Sequence, residues 1–373
     1  MAGIYLHIPF CKQACHYCDF HFSTQLGHQA AMVEAMRREM ALRKGFFSPE
    51  VSLETLYFGG GTPSLLEPDE VARLLDAAAA HFRLNLKEVT LEANPDDLSL
   101  EKARQLRAAG INRLSIGIQT FDGALLQYFN RAHNAEEAER AVWNAAEAGF
   151  DNLTIDLMYG ARSLSLKLWE EQLERALALP VQHISAYSLT VEAKTVFAHR
   201  EKKGDAITLE EEEQAKQFER MQERLQAAGF IQYEVASFGK PGFFSQHNSN
   251  YWKGLPYLGI GPGAHGFDGK KRYSNLRNNP LYIKAIREGT PFSEDETLTA
   301  EEVLNERVLT GLRTIWGISR SELEMLHPNW LQLHAQTLDW LRQNAYLEEN
   351  EDRIWLTPKG FILADSIAFQ LFT

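Results

Sequence analysis

Cys11, Cys15 and Cys18 stand within eight positions of one another, and the 373-residue chain has no other cysteine. Their spacing is C-x3-C-x2-C. An odd, clustered set is a poor disulfide framework. The opening residues carry no basic run, and His7 and Pro9 break their apolar stretch, so no export signal is expected. In that context the triplet reads as a metal site. Thiolates are soft ligands that suit zinc or iron–sulfur centres. Zinc would need His7, His16 or His21 as a fourth ligand, although structural zinc usually takes two separated ligand pairs. Three thiolates without a fourth suit a four-iron cluster with one iron open to an outside ligand.

Other polar residues recur at regular stations. Gly59-Gly60-Gly61-Thr62-Pro63 follows an apolar run, and its glycines would let the backbone approach a ligand closely; the plainer reading is a flexible turn. Glu92, Gln119 and Asp156 each end or interrupt a mostly apolar segment. One such group could be a satisfied core residue. Three at successive stations argue for a shared ligand that hydrogen-bonds to them. Arg131 could pair with a ligand carboxylate or could be a surface arginine. Farther along, His247-Asn248-Ser249-Asn250-Tyr251-Trp252 puts an imidazole beside aromatic faces, and Gly259-Ile260-Gly261-Pro262-Gly263-Ala264-His265 is rich in glycine. His247 could offer its imidazole to a metal, or could be hydrogen-bonded inside an aromatic cluster.

The elements that must position these residues alternate. Strand-like runs are expected at 3–8, 54–58, 87–91, 112–118, 152–157 and 182–188. Amphipathic helices are expected at 30–43, 69–81, 100–109, 135–148 and 165–179, with Gly110 and Gly149 as stop signals. Six β-then-α units imply an α/β fold with a parallel sheet, either doubly wound or an incomplete barrel of about six units, (β/α)6. Sites then fall at the carboxyl ends of the strands, where the cysteines, the glycines and the polar stations all lie.

After about residue 205 the pattern changes. A charged helix is expected at 209–228, its acidic start, Glu210 to Glu213, being a solvated face. The stretch 230–279 shows little periodicity. From about 298 a mainly helical domain is expected, with helix, turn and hairpin at 338–343, 346–348 and 353–357 in a winged-helix-like pattern. The organisation expected is residues 1–205 as a core, 206–297 as an extension and 298–373 as a C-terminal domain. A formal net charge of −12 gives no electrostatic case for nucleic acid, so the C-terminal domain reads as structural or partner-binding. No stretch reaches the roughly 18 apolar residues of a membrane span. A cytoplasmic location is expected.

The cysteine triplet after a first strand resembles the radical S-adenosylmethionine (SAM) superfamily. Tyr5-Leu6-His7-Ile8-Pro9-Phe10-Cys11, the triplet, Gly59–Pro63, Gln119, Arg131 and Asp156 look like the oxygen-independent coproporphyrinogen oxidase family over essentially the whole chain. The resemblance implies a [4Fe-4S] cluster on Cys11, Cys15 and Cys18. It implies SAM contacts from Tyr5, Gly60, Gly61, Thr62, Glu92, Gln119, Arg131 and Asp156, with Tyr17 near the adenine. The oxidases, which decarboxylate coproporphyrinogen III by radical chemistry, carry a further cysteine where this chain has Phe20, and an N-terminal arm that is not expected here. Both departures, together with the HNxxYW segment at His247, resemble the haem-carrier (HemW-like) branch. That branch implies haem as ligand, His247 as the side chain to bet on for touching it, and apo-haemoproteins as acceptors, membrane-associated respiratory proteins among them. Whether SAM is cleaved, and whether the chain forms a homodimer, stay open at this stage.

Overall fold

The computed structural model describes residues 2–373. Six parallel strands follow one another in space as in sequence: β1 (Gly3–Ile8), β2 (Leu53–Gly60), β3 (Leu84–Ala93), β4 (Arg113–Gln119), β5 (Leu153–Tyr159) and β6 (His183–Ser188). Helices α1 (Gln29–Leu42), α2 (Pro68–His81), α3 (Leu100–Ala108), α4 (Gly123–Tyr128), α5 (Ala135–Glu147), α6 (Leu166–Leu177) and α7 (Val196–Glu201) punctuate them. A doubly wound sheet would reverse its strand order about an inner strand. This order rises without reversal, so the architecture is the incomplete (β/α)6 barrel.

Composition alternates with period two along these strands, as a pleated strand requires of its two faces. Ile4, Leu6 and Ile8, then Leu56 and Phe58, Val89 and Leu91, Leu114 and Ile116, Leu153 and Ile155, and Ile184 and Ala186 are buried in the apolar core. The intervening positions are polar: Tyr5, Thr55 and Tyr57, Glu88, Thr90 and Glu92, Arg113 and Ser115, Thr154 and Asp156, His183 and Ser185. The apolar face packs under helices. The polar face lines the inside of the barrel, where Arg113 donates to Thr90 and Thr154 and faces Glu88 across 4.0 Å.

The stretch without evident periodicity extends the sheet at both ends. After helix α8 (Glu211–Ala227), the hairpin of β7 (Ile231–Glu234) and β8 (Ser237–Gly239) pairs antiparallel with β6. Helix α9 (Gln246–Trp252) follows, and then β9 (Tyr257–Ile260) runs parallel to β1. Strands β10 (His265–Phe267), β11 (Lys271–Asn275) and β12 (Ser293–Thr297) complete the far edge, with helix α10 (Asn279–Glu288) between the last two. Strands of three to five residues hold too few positions to display a period. The sheet therefore does not close on itself: β1 is flanked by β9 and β6 by β8.

The C-terminal part is mainly helical, with helices such as Ala300–Leu312 and Ala335–Gln343 around a small sheet of β13 (Ile318–Ser319), β14 (Leu347–Glu349) and β15 (Arg353–Leu356), in the order β13-β15-β14. Among the described residues no helix is long and apolar enough to cross a membrane.

Candidate functional site

The carboxyl ends of β1 to β6 open into one cavity of about 720 Å³. All thirteen residues singled out from the sequence line it: Tyr5, Cys11, Cys15, Tyr17, Cys18, Gly60, Gly61, Thr62, Glu92, Gln119, Arg131, Asp156 and His247.

The cysteine loop leaves the end of β1 and is held from two sides. On the inner side, the Gly61 and Thr62 amides donate to the Ile8 and Phe10 carbonyls at 2.8 and 2.7 Å. A Cβ on Gly61 would lie 2.6 Å from the Phe10 oxygen, so only glycine lets the two backbones meet. On the outer side, Asn130 Nδ2 donates to the Ala14 carbonyl and Gln13 Nε2 donates to the Asn130 carbonyl, both at 2.8 Å. The His16 amide reaches the Phe129 carbonyl at 3.0 Å, and His16 Nδ1 lies 2.8 Å from the Tyr128 carbonyl. Asn130 adopts a left-handed conformation, φ 57°, to do this.

All three cysteines are free thiols. Burial pushes Cys11 and Cys18 up to about 11, so the loop favours neutral thiols until a strong cation draws off their protons. Among the described residues no three His, Cys, Asp or Glu side chains converge as on a single metal ion. Ligands that must span a cube of four irons stand farther apart than ligands closing on one ion. The histidines that zinc would require do not line the cavity. His7 lies 3.2 Å from the Tyr5 hydroxyl and 2.8 Å from the His21 carbonyl, His21 Nε2 lies 2.8 Å from Asn279 Oδ1, and His16 is turned to Tyr128. The donor set fits an iron–sulfur cluster with an open corner.

Arg131 links the loop to the rest of the cavity. Its guanidinium is 3.3 Å from the Cys15 sulfur and 3.4 Å from the Tyr17 hydroxyl, and it donates to Asn94 Oδ1 at 2.7 Å and the Gly117 carbonyl at 2.8 Å. Its Nε is buried without a partner. Burial opposes its charge, but Tyr17 and Cys15 hold it protonated. The surface reading of this arginine is thereby corrected.

Two half-buried carboxylates face the same space. Glu92 accepts from the Tyr57 hydroxyl at 2.8 Å and the Gly60 amide at 3.2 Å; burial pushes it up to about 7. Asp156 accepts from the Ser115 hydroxyl at 3.4 Å, and burial pushes it up to about 6. The hydrogen bonds they accept come from hydroxyl and amide groups, which leaves both charges available to a cationic or hydroxyl-bearing ligand. Gln119 closes β4 with φ 68°, a costly conformation for a side-chain-bearing residue and one that turns it toward the cavity.

His247 is the exception in kind. It is 2 % exposed, with Nδ1 2.8 Å from the Thr55 hydroxyl and Nε2 3.1 Å from the Tyr251 hydroxyl. Both ring nitrogens are occupied, so the expectation of an imidazole free for haem iron is not met in this arrangement.

Tyr57, Asn94, Ser115, Met158, Tyr187 and Tyr251 also line the cavity and were not singled out. The signal that finds most of them is the polar half of the period-two pattern in the strands.

The chain matches the Radical SAM superfamily over residues 5–176 and the HemN C-terminal domain over residues 298–363. It is 36% identical over 372 residues to "Heme chaperone HemW" of Bacillus subtilis, covering 98% of each chain. It is 36% identical to the protein of the same name in Lactococcus lactis, covering 99% of this chain and 96% of that one. With "Radical S-adenosyl methionine domain-containing protein 1, mitochondrial" of Bos taurus it shares 34% identity, covering 98% and 82%. Among solved structures, coproporphyrinogen III oxidase (HemN) from Escherichia coli superposes with a TM-score of 0.84 at 23% identity, over 100% of this chain and 90% of that one, a likeness of fold.

Proposed function

This chain belongs to the HemW family of haem chaperones within the radical SAM superfamily, and from that premise we propose that it binds haem and passes it to apo-haemoproteins, with a SAM-ligated [4Fe-4S] cluster in the barrel. The supporting observation is the convergence of three free thiols, two half-buried carboxylates and a half-buried arginine on one cavity.

In this reading Cys11, Cys15 and Cys18 would hold the cluster, and the cluster would supply an open iron and one-electron chemistry. Arg131 would face the SAM carboxylate. Glu92 and Asp156 would take the amine and the ribose hydroxyls, and Tyr5, Tyr17, Gly60, Gly61, Thr62 and Gln119 would complete the walls. The glycines admit backbone close to the ligand, and the tyrosines exclude water.

The carrier reading is favoured over coproporphyrinogen III oxidation by the residue at position 20. Where the oxidases carry a further cysteine, Phe20 stands at the cavity wall, 67 % exposed. Membrane-associated respiratory haemoproteins as acceptors, a cytoplasmic location and a homodimer belong to the same proposal. The deciding experiment is anaerobic. Reconstituted protein is incubated with reductant, SAM and coproporphyrinogen III, and separately loaded with haem and mixed with an apo-cytochrome. Haem transfer without protoporphyrinogen is expected; protoporphyrinogen formation would overturn the carrier-only reading.

A further inference from the structure

The HNxxYW helix enters the barrel from below. The Gln246 and His247 amides, at the start of α9, both donate to the Glu88 carboxylate at 2.9 Å. Glu88 is itself buried on the inner face of β3, opposite Arg113. A bidentate carboxylate thus fixes the helix end and aims the His247 ring between β1 and β2. A Cβ on Gly3 would sit 3.0 Å from His247 Nδ1, so the strand carries glycine where the ring passes.

The ring then makes four contacts, and both of its nitrogens are engaged. Nδ1 meets Thr55 and Nε2 meets Tyr251. Its face stacks on Tyr57, centroids 5.1 Å apart at 28°, and on Tyr5 at 6.5 Å and 29°. Tyr57 in turn donates to Glu92, whose other oxygen takes the Gly60 amide. The path runs Glu88, His247, Tyr57, Glu92, through hydrogen bonds and one stacked pair. Its far end is a carboxylate on the cavity wall.

We propose that His247 is a positioning residue of the SAM cavity, holding Tyr57 and Tyr251 and through Tyr57 orienting Glu92, and that it does not give a nitrogen to haem iron. Burial keeps the ring neutral, as a residue working through hydrogen bonds and stacking requires. Iron ligation would demand breaking the Thr55 or Tyr251 contact inside a packed aromatic layer. The haem half of this statement rests on the carrier reading; the SAM half does not.

The test uses the full chain with its cluster reconstituted anaerobically. SAM affinity is measured by calorimetry, and haemin is titrated while the Soret band and its electron paramagnetic resonance signature are followed. In His247→Ala, SAM affinity is expected to fall about tenfold, consistent with one lost hydrogen bond, with haem stoichiometry and Soret position unchanged. His247→Gln, which retains one polar contact, is expected to recover most of the SAM affinity. Loss of the haem signature in either variant, or wild-type SAM affinity in His247→Ala, would overturn the proposal. Should His247→Ala fail to fold, Tyr251→Phe decides. The positioning role expects weaker SAM binding and an unaltered haem spectrum. An iron-ligating role expects stronger haem binding, because Nε2 is released, and that result overturns the proposal. If the wild-type chain takes up no haem, the carrier reading fails, while the SAM measurements still decide the role of His247.

Discussion

The Tyr57 hydroxyl donates to the Glu92 carboxylate across 2.8 Å, and this bond joins the floor of the barrel to the wall of its cavity. It stabilises the charged form of Glu92, yet burial outweighs it and pushes the group up to about 7.

A pH dependence follows, with a definite sign. Glu92 and Asp156 are raised above their ordinary values of 4.5 and 3.8. A group raised on folding favours the folded state fully below its unfolded pKa and loses that contribution as pH rises through the folded one. Without SAM, these two groups are therefore expected to lower stability between about pH 4 and pH 7. SAM, whose sulfonium and ammonium are cationic, needs the carboxylates ionised. Its affinity is expected to weaken as pH falls from about 7 to about 6. Calorimetry in two buffers of different ionisation enthalpy checks this: proton release on binding supports it, and proton uptake refutes it.

Asp156→Asn keeps the shape of the cavity and removes one charge. SAM affinity is expected to drop about 10–100-fold, the range for a charged hydrogen bond. Iron and sulfide content should be unchanged. Equal affinity in variant and wild type would remove Asp156 from the ligand set.

Cys15→Ser removes one of three thiols facing the cavity. The visible charge-transfer absorption and the iron content are expected to vanish, since three ligands are the fewest that hold a cube with one open corner. A variant that still carries about four irons per chain would place the cluster elsewhere.

Asn130 brackets the cysteine loop from outside, so Asn130→Ala is expected to lose its cluster in air several-fold faster than the parent. It forfeits the bond to Ala14 and puts alanine at φ 57°, a combined cost of about 2 kcal/mol. Asn130→Gly removes only the bond and should fall between the two. Identical cluster lifetimes in all three would show that the bracket does not govern retention.

Glu88 and Arg113 are 1% and 2% exposed in side chain and 4.0 Å apart. Glu88→Leu is expected to destabilise the fold by about 3–5 kcal/mol, because Arg113 is left buried without its counter-charge. Adding Arg113→Met should return part of that loss. Denaturant midpoints of Glu88→Leu, Arg113→Met and the double variant measure it, and additive losses would show that the pair is not coupled.

Much of this molecule was legible from its sequence. The helix with Gly110 as its stop, expected at 100–109, spans Leu100–Ala108, and the first strand falls where expected. The thiols, Glu92, Gln119, Arg131 and Asp156 were marked by chemistry that sits oddly in apolar runs or by spacing. Tyr57 and Ser115 were not, because each is unremarkable alone and gains meaning only in the alternation along its strand. The segment holding β7 to β11 was illegible for a different reason. Its strands are three to five residues long, and the two that join it to the barrel, β9 on β1 and β8 on β6, have partners far away in the chain. The engagement of both His247 nitrogens depends on Thr55, a residue no local pattern could have brought to it.

The pairing of β1 with β9 also sets an order of events during synthesis. The first strand made is one whose neighbour on one side is translated about two hundred and fifty residues later, at Tyr257–Ile260. Domains tend to fold as the ribosome releases them, from the N-terminus onward. Here the thiols emerge early and must wait for most of the polypeptide before their supporting strand is flanked on both sides. A nascent chain arrested ahead of Tyr257 is expected to take up iron poorly, and one arrested beyond the β10–β12 edge to take it up normally. Equal uptake by the two would mean that metal insertion runs ahead of sheet completion.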